Sequence, residues 1–231
     1  MLLKSNTGPR WSWLLLAGAL VALPAVAADA RITRARAEAA AARAGAGSLP
    51  VDVDDALLAA LNQAVASPEN RARLKKSLER MQAHRAMVTE VLSARGLPTE
   101  LAAVALMESG FDNDVGPAPD GSRGAGLWQL IPTTARAHGL KVDRASRVDE
   151  RLDPRRATEG AASLLANLHQ RFGDWRLAIT AYSRGTTAVD KLVADAGTRD
   201  GRLLQQRGLL GRYLTNVNVG VLLLRDPGLL D

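Results

Sequence analysis

The 231-residue chain contains no cysteine, only three histidines, and few aromatic side chains: four Trp, two Tyr and two Phe. Each absence excludes something. Without cysteine there is no disulfide, no thiolate nucleophile and no site for lipid acylation, so the fold must rest on side-chain packing. His84, His138 and His169 are scattered and form no His-Glu-x-x-His pattern, which argues against a metal centre, and no cofactor is expected. Gly-x-Ser-x-Gly and phosphate-loop patterns are missing. No segment sustains the two-residue alternation of strands, and beyond the first 30 residues no apolar run is long enough to span a bilayer.

What is present is rich in alanine, leucine and arginine, a mixture that favours helix. The N-terminus reads as an export leader, residues 1–27. Lys4 and Arg10 precede the apolar run from Trp11 to Leu23, and Pro24 and two overlapping small-x-small sites ending at Ala27 and Ala30 follow. The apolar run is shorter than the roughly 20 residues of a spanning helix. An exported protein that is not a lipoprotein is expected in the periplasm, which makes nucleic acid an unsuitable partner. The formal charge of +6 falls to +4 without Lys4 and Arg10, a modest excess that suits an anionic polymer.

Residues 28–50 are Ala- and Arg-rich with almost no large apolar side chains, and read as a flexible tether. Residues 51–95 form a helical lead-in. Leu57, Leu58, Leu61 and Val65 make one apolar stripe, and Ser67-Pro68-Glu69 then caps a helix predicted from Pro68 to about Ala94. Gly96 and Pro98 stop it, and residues 96–231 form the main domain. Helices are predicted from about Thr99 to Ser109, from Pro132, from Pro154 to Phe172 and from Trp175 to Ser183. One or two more complete the chain, the last from about Arg212 to Arg225. The fold class expected is all-α.

Glu108 is the most informative residue. Leu101, Val104, Ala105 and Glu108 fall at i, i+3, i+4 and i+7, so the carboxyl continues an apolar stripe, and no Lys or Arg lies between Arg95 and Arg123. Such a carboxyl should have a raised pKa, as a general acid needs. The Gly-rich loop that follows ends in Gly124-Ala125-Gly126-Leu127-Trp128-Gln129 and can bring backbone, an indole face and an amide to the helix end. Asp112 and Asp114, in the turn after the helix, are candidates for a second carboxyl, although Asp also suits turns.

These pieces, in order, resemble the soluble lytic transglycosylase family, whose catalytic domain is goose-lysozyme-like. They are Glu108-Ser109 at a helix end, Gly126-Leu127-Trp128-Gln129 with Ile131-Pro132, Asp153-Pro154 with its helix through Phe172-Gly173-Asp174-Trp175, and Ala181-Tyr182 with Gly185. The resemblance covers roughly Met87 to Arg225, and the run from Asp52 to Arg95 is similar to the lead-in of the membrane-bound D-type branch. It implies cleavage of the bond between N-acetylmuramic acid and N-acetylglucosamine in peptidoglycan strands, with Glu108 as sole acid/base and a 1,6-anhydromuramoyl product. A monomer acting on glycan is expected. By the same resemblance Ser109, Gly126, Trp128, Gln129, Tyr182 and Ser183 surround the substrate. From the residues alone, Ser109 could equally cap its helix, Trp128 could fill core, Gln129 could bind loop backbone and Tyr182 could be a core tyrosine. Ser183 stands where the family has Asn, which removes an amide's paired donor and acceptor. A glycan-binding scaffold without catalysis and a hydrolytic muramidase are the alternative readings.

Overall fold

A computed structural model describes residues 31–45, 47–116, 123–143 and 145–231. The expected leader lies outside them. The described chain is helical apart from one two-residue hairpin, and the local chemistry explains most boundaries. Helix α2 (Asp55–Ala64) starts at Asp54, whose carboxylate accepts from Leu57 N. Helix α3 (Pro68–Ser93) starts at Ser67, whose hydroxyl accepts from Asn70 N, with proline at its first position. A 3-10 turn at Thr99–Leu101 leads into α4 (Ala102–Ser109), which Gly110 ends in the left-handed region.

Beyond the loop come α5 (Pro132–Ala137), the antiparallel hairpin of β1 (Val142–Asp143) and β2 (Val148–Asp149), and a 3-10 turn at Glu150–Leu152. Asp153 caps α6 (Pro154–Phe172) and Asp174 caps α7 (Trp175–Arg184), with Gly173 making the sharp reversal between them. Three helices then complete the chain, one more than the turn signals predict: α8 (Thr186–Ala196), α9 (Gly201–Gln206) and α10 (Arg212–Arg225). The loop between α8 and α9 is short and carries its stop in Gly197 and its start in Asp200, so two short helices read as one pattern.

The core is one continuous cluster with α4 at its centre. All of Ala102 to Leu106 is buried, and so are Glu108 and Ser109. Helix α10 lies against α4 closely enough at Gly220 that a methyl there would press on the Ala103 side chain. Helix α3 packs on α6 and α4, and α6 on α7.

The segment expected to be a tether is different over its described part. Residues 34–42 form α1 (Arg34–Ala42), capped by Thr33, and Ile32, Ala37, Ala40 and Leu49 are buried. Alanine supplies little apolar area but allows close approach, and polar anchors supply the rest. Asn62 exchanges hydrogen bonds with the Ile32 backbone. Arg225, almost fully buried, donates to Ala41 O at 2.8 Å, Leu49 O at 2.7 Å and both oxygens of Glu100, which in turn accepts from Leu49 N.

Candidate active site

Glu108 sits in the last turn of α4, where the stripe places it, and is 4% exposed. Burial pushes its carboxyl up to about 8, and the hydroxyl of Tyr213, which donates to Oε1 at 2.6 Å, pulls in the opposite direction. The desolvation effect wins. At neutral pH the group is mostly protonated yet within reach of ionisation, the state that proton transfer in both directions requires. Burial, together with the charge Glu108 would carry, raises the phenols of Tyr182 and Tyr213 well above the usual range, so both remain donors.

Several segments meet here. Gly110, two residues after Glu108, has φ of 61°, and a Cβ there would strike Ser77 of α3, so the helix end is held close to its neighbour. Phe111 and Gln129 also adopt positive φ, 55° and 49°, which for residues other than glycine is sustained only by surrounding contacts. Those contacts fasten the loop from several sides. Ser109 Oγ donates to Leu127 O at 2.8 Å. Gln129 Nε2 donates to Val115 O and Gly126 O. Trp128 Nε1 donates to Thr158 Oγ1 at 2.9 Å, and Tyr182 OH donates to Trp128 O at 2.6 Å. The buried Arg151, paired with Asp149, donates to Arg123 O and Leu130 O.

The residues read as substrate contacts therefore divide. Ser109 and Trp128 are fully buried, and Gly126 is buried with its Cα face against the Arg151 carbonyl. In this structure they are closed to a ligand. The indole turns inward because Thr158 offers its N–H a buried acceptor, and Ser109 finds two carbonyls, those of Leu127 and Ala105, on the protein side. Gln129 is half-buried with its amide nitrogen engaged by the loop. Tyr182 is half-buried, and what it bonds is the loop carbonyl. Ser183 is half-buried, and its hydroxyl makes no hydrogen bond to another described residue. Asp112, offered as a second carboxyl, pairs with Arg80 at 2.8 Å and accepts from Asp114 N, while Asp114 is exposed.

Tyr213 is the residue the sequence reading missed. It lies 105 positions from Glu108 on α10. The available signal was scarcity, since it is one of only two tyrosines in the chain. No group of three or more His, Asp or Glu side chains suited to a metal occurs among the described residues. A cavity of about 600 Å³ between α3 and the C-terminal turn does not include Glu108.

Comparison with known proteins identifies the family of this chain. The model of the transglycosylase SLT domain matches residues 90–205, which contain Glu108, the loop and Tyr182 but stop short of Tyr213. Over 100 residues the chain is 38% identical to the membrane-bound lytic murein transglycosylase D of Escherichia coli (strain K12), covering 43% of this chain and 21% of that protein. It is 36% identical over 121 residues to a putative tributyltin chloride resistance protein of Alteromonas sp. (strain M-1), covering 52% of this chain and 56% of that one. The match thus spans only about a fifth of the E. coli relative. With the domain model covering just over half of its length, and with a lysozyme-like all-α fold, the chain belongs to the transglycosylase SLT domain family.

Proposed function

We propose that the protein is a peptidoglycan lytic transglycosylase that cleaves the bond between N-acetylmuramic acid and N-acetylglucosamine, with Glu108 as its sole acid/base. The observation that carries this reading is a carboxyl buried on an apolar helix face, its pKa near 8, under one tyrosine hydroxyl. In the first step Glu108 gives its proton to the leaving glycosidic oxygen. The resulting carboxylate, steadied by Tyr213, then takes the proton of the muramoyl 6-hydroxyl as that oxygen closes on the anomeric carbon. The proton ledger balances without water, and the product ends in a 1,6-anhydro ring.

A hydrolase would need a second carboxyl at about 5 Å, or roughly 6.5–9.5 Å, from the first. The Arg80 pairing of Asp112 and the exposure of Asp114 weigh against that role. We assign Tyr182, Ser183 and Gln129 to glycan contact, and Ser109, Gly126 and Trp128 to holding the loop in shape. On the reading of residues 1–27 as an export leader, we assign the protein to the periplasm, and we take it to act as a monomer. No described helix is long and apolar enough to cross a membrane.

Digestion of purified peptidoglycan by the protein and by Glu108→Gln, read by mass, tests the proposal. Anhydromuropeptides from the parent and none from the variant are expected. Products heavier by one water would make it a hydrolase. Binding without release in both would leave a scaffold.

A further inference from the structure

The start of α10 has to be placed accurately for Tyr213, its second residue, to meet Glu108; packing along α4 holds the body of the helix, but its first turn has no side-chain cap of its own. Its N-cap is Gly211, which has no side chain to close the first turn. Gly211 adopts φ 76° and ψ −178°, a region open essentially to glycine alone. The turn before it includes Leu209, which is 41% exposed, and is tied inward by the buried Leu210. Apolar burial therefore fixes where the turn sits but leaves the direction of the backbone at Gly211 loosely determined.

Arg184 supplies the missing constraint. It is the last residue of α7, and its Nη1 donates to Leu209 O at 3.2 Å. Its Nη2 lies too close to where a Cβ on residue 211 would be for both to fit, so the tip of the guanidinium fills the space that the bare glycine leaves open. It pairs with no carboxylate among the described residues, and its hydrogen bond, at the exposed edge of α7, goes to this turn. The same turn of α7 carries Tyr182, whose hydroxyl bonds Trp128 O. The end of α7 thus reaches both the Trp128 loop, through Tyr182, and the start of α10, through Arg184.

We propose that Arg184 is a positioning residue: by holding Leu209 and Gly211 it sets the first turn of α10 and keeps the Tyr213 hydroxyl on Glu108. The proposal rests on the reading of Glu108 as the acid/base. Arginine suits the task because its rigid fork donates to the Leu209 carbonyl through one nitrogen while the other fills the space beside Gly211; a lysine ammonium has a single nitrogen for both.

The test is an NMR titration of the Glu108 carboxyl in the full chain, for the parent, Arg184→Ala, Arg184→Lys, Tyr213→Phe and the Arg184→Ala/Tyr213→Phe double variant. The tyrosine hydroxyl favours the ionised carboxyl, so Tyr213→Phe raises the titration midpoint. Arg184→Ala should raise it too, by about half a unit, a roughly threefold change in the proton equilibrium. Arg184→Lys should fall between Arg184→Ala and the parent. In the Tyr213→Phe background, Arg184→Ala should add no further shift, because a chain of action through Tyr213 is not additive. An unchanged midpoint in Arg184→Ala, or an equal shift with and without the tyrosine hydroxyl, would overturn the proposal. A merely structural arginine would lower the melting temperature without moving the midpoint. Because the titration needs no substrate, it is decided separately from the activity: product release by Glu108→Gln would sink the functional reading and leave this coupling as measured.

Discussion

The Tyr213 hydroxyl donates a 2.6 Å hydrogen bond to Glu108 across 105 residues of sequence, and the two groups act on each other in opposed ways. Removal from water favours the neutral carboxyl, and the phenol favours the carboxylate. The balance stands near 8, so the protonated form dominates at neutral pH while the ionised form keeps a ready partner.

Product release from peptidoglycan should hold a plateau at neutral pH and decline above pH 8, as Glu108 loses the proton it must donate. Tyr213→Phe removes the group that stabilises the carboxylate, so its alkaline limb should move to higher pH. Its rate at pH 7 should fall by about tenfold or more, the loss expected for one hydrogen bond to a charged group. A pH–rate profile with the alkaline limb unmoved would show that the two residues are not coupled in the reaction.

The same carboxyl makes stability depend on pH. Its folded pKa, about 8, lies above the ordinary value of 4.5, so its contribution is complete below 4.5 and is lost as pH rises towards 8. Over that window the unfolded chain ionises Glu108 freely while the folded one resists. The loss is on the order of 3–5 kcal/mol. Glu108→Gln abolishes this term and keeps an acceptor for Tyr213. The melting temperature of the variant should therefore exceed that of the parent by more at pH 8.5 than at pH 4.5. Parallel melting curves across that range would contradict the assignment of a raised pKa.

Gly126 has φ of 65°, and a side chain there would collide with the Arg151 carbonyl. Gly126→Ala should lower stability by about 2–4 kcal/mol, through strain and overpacking together. The damage should extend to activity, because Gln129 and Ser109 are tied to the same loop. Denaturant midpoints and product release on the same preparation measure both.

Arg225 joins the N-terminal segment to the main domain. Arg225→Ala leaves the half-buried Glu100 without its cation and the carbonyls of Ala41 and Leu49 without their donor, and should cost about 2–4 kcal/mol. New protease cleavage within residues 41–49 should accompany the lower melting temperature. A variant as resistant as the parent would show that apolar packing of Ile32, Ala37 and Ala40 suffices to hold α1.

Much of the fold was legible in the chain because its signals are local. Ser67-Pro68, Asp153-Pro154 and Asp174 cap helices in the structure as they do in the pattern, since a cap involves only residues two or three apart. The burial of Glu108 was legible for the same reason, because a helical stripe is a relation among neighbours at i, i+3 and i+4. The tertiary structure alone decided what those residues meet. Trp128 turned inward because Thr158, 30 residues on, offers its N–H an acceptor. The Ala- and Arg-rich segment 31–50 docked because Arg225 and Glu100 wait for its backbone, although its own composition promises little burial. Tyr213 reached Glu108 because α10 packs along α4, a contact that no periodicity encodes: hydrophobic patterning says that two faces will be buried, and only the packing of whole helices settles which side chains end up touching.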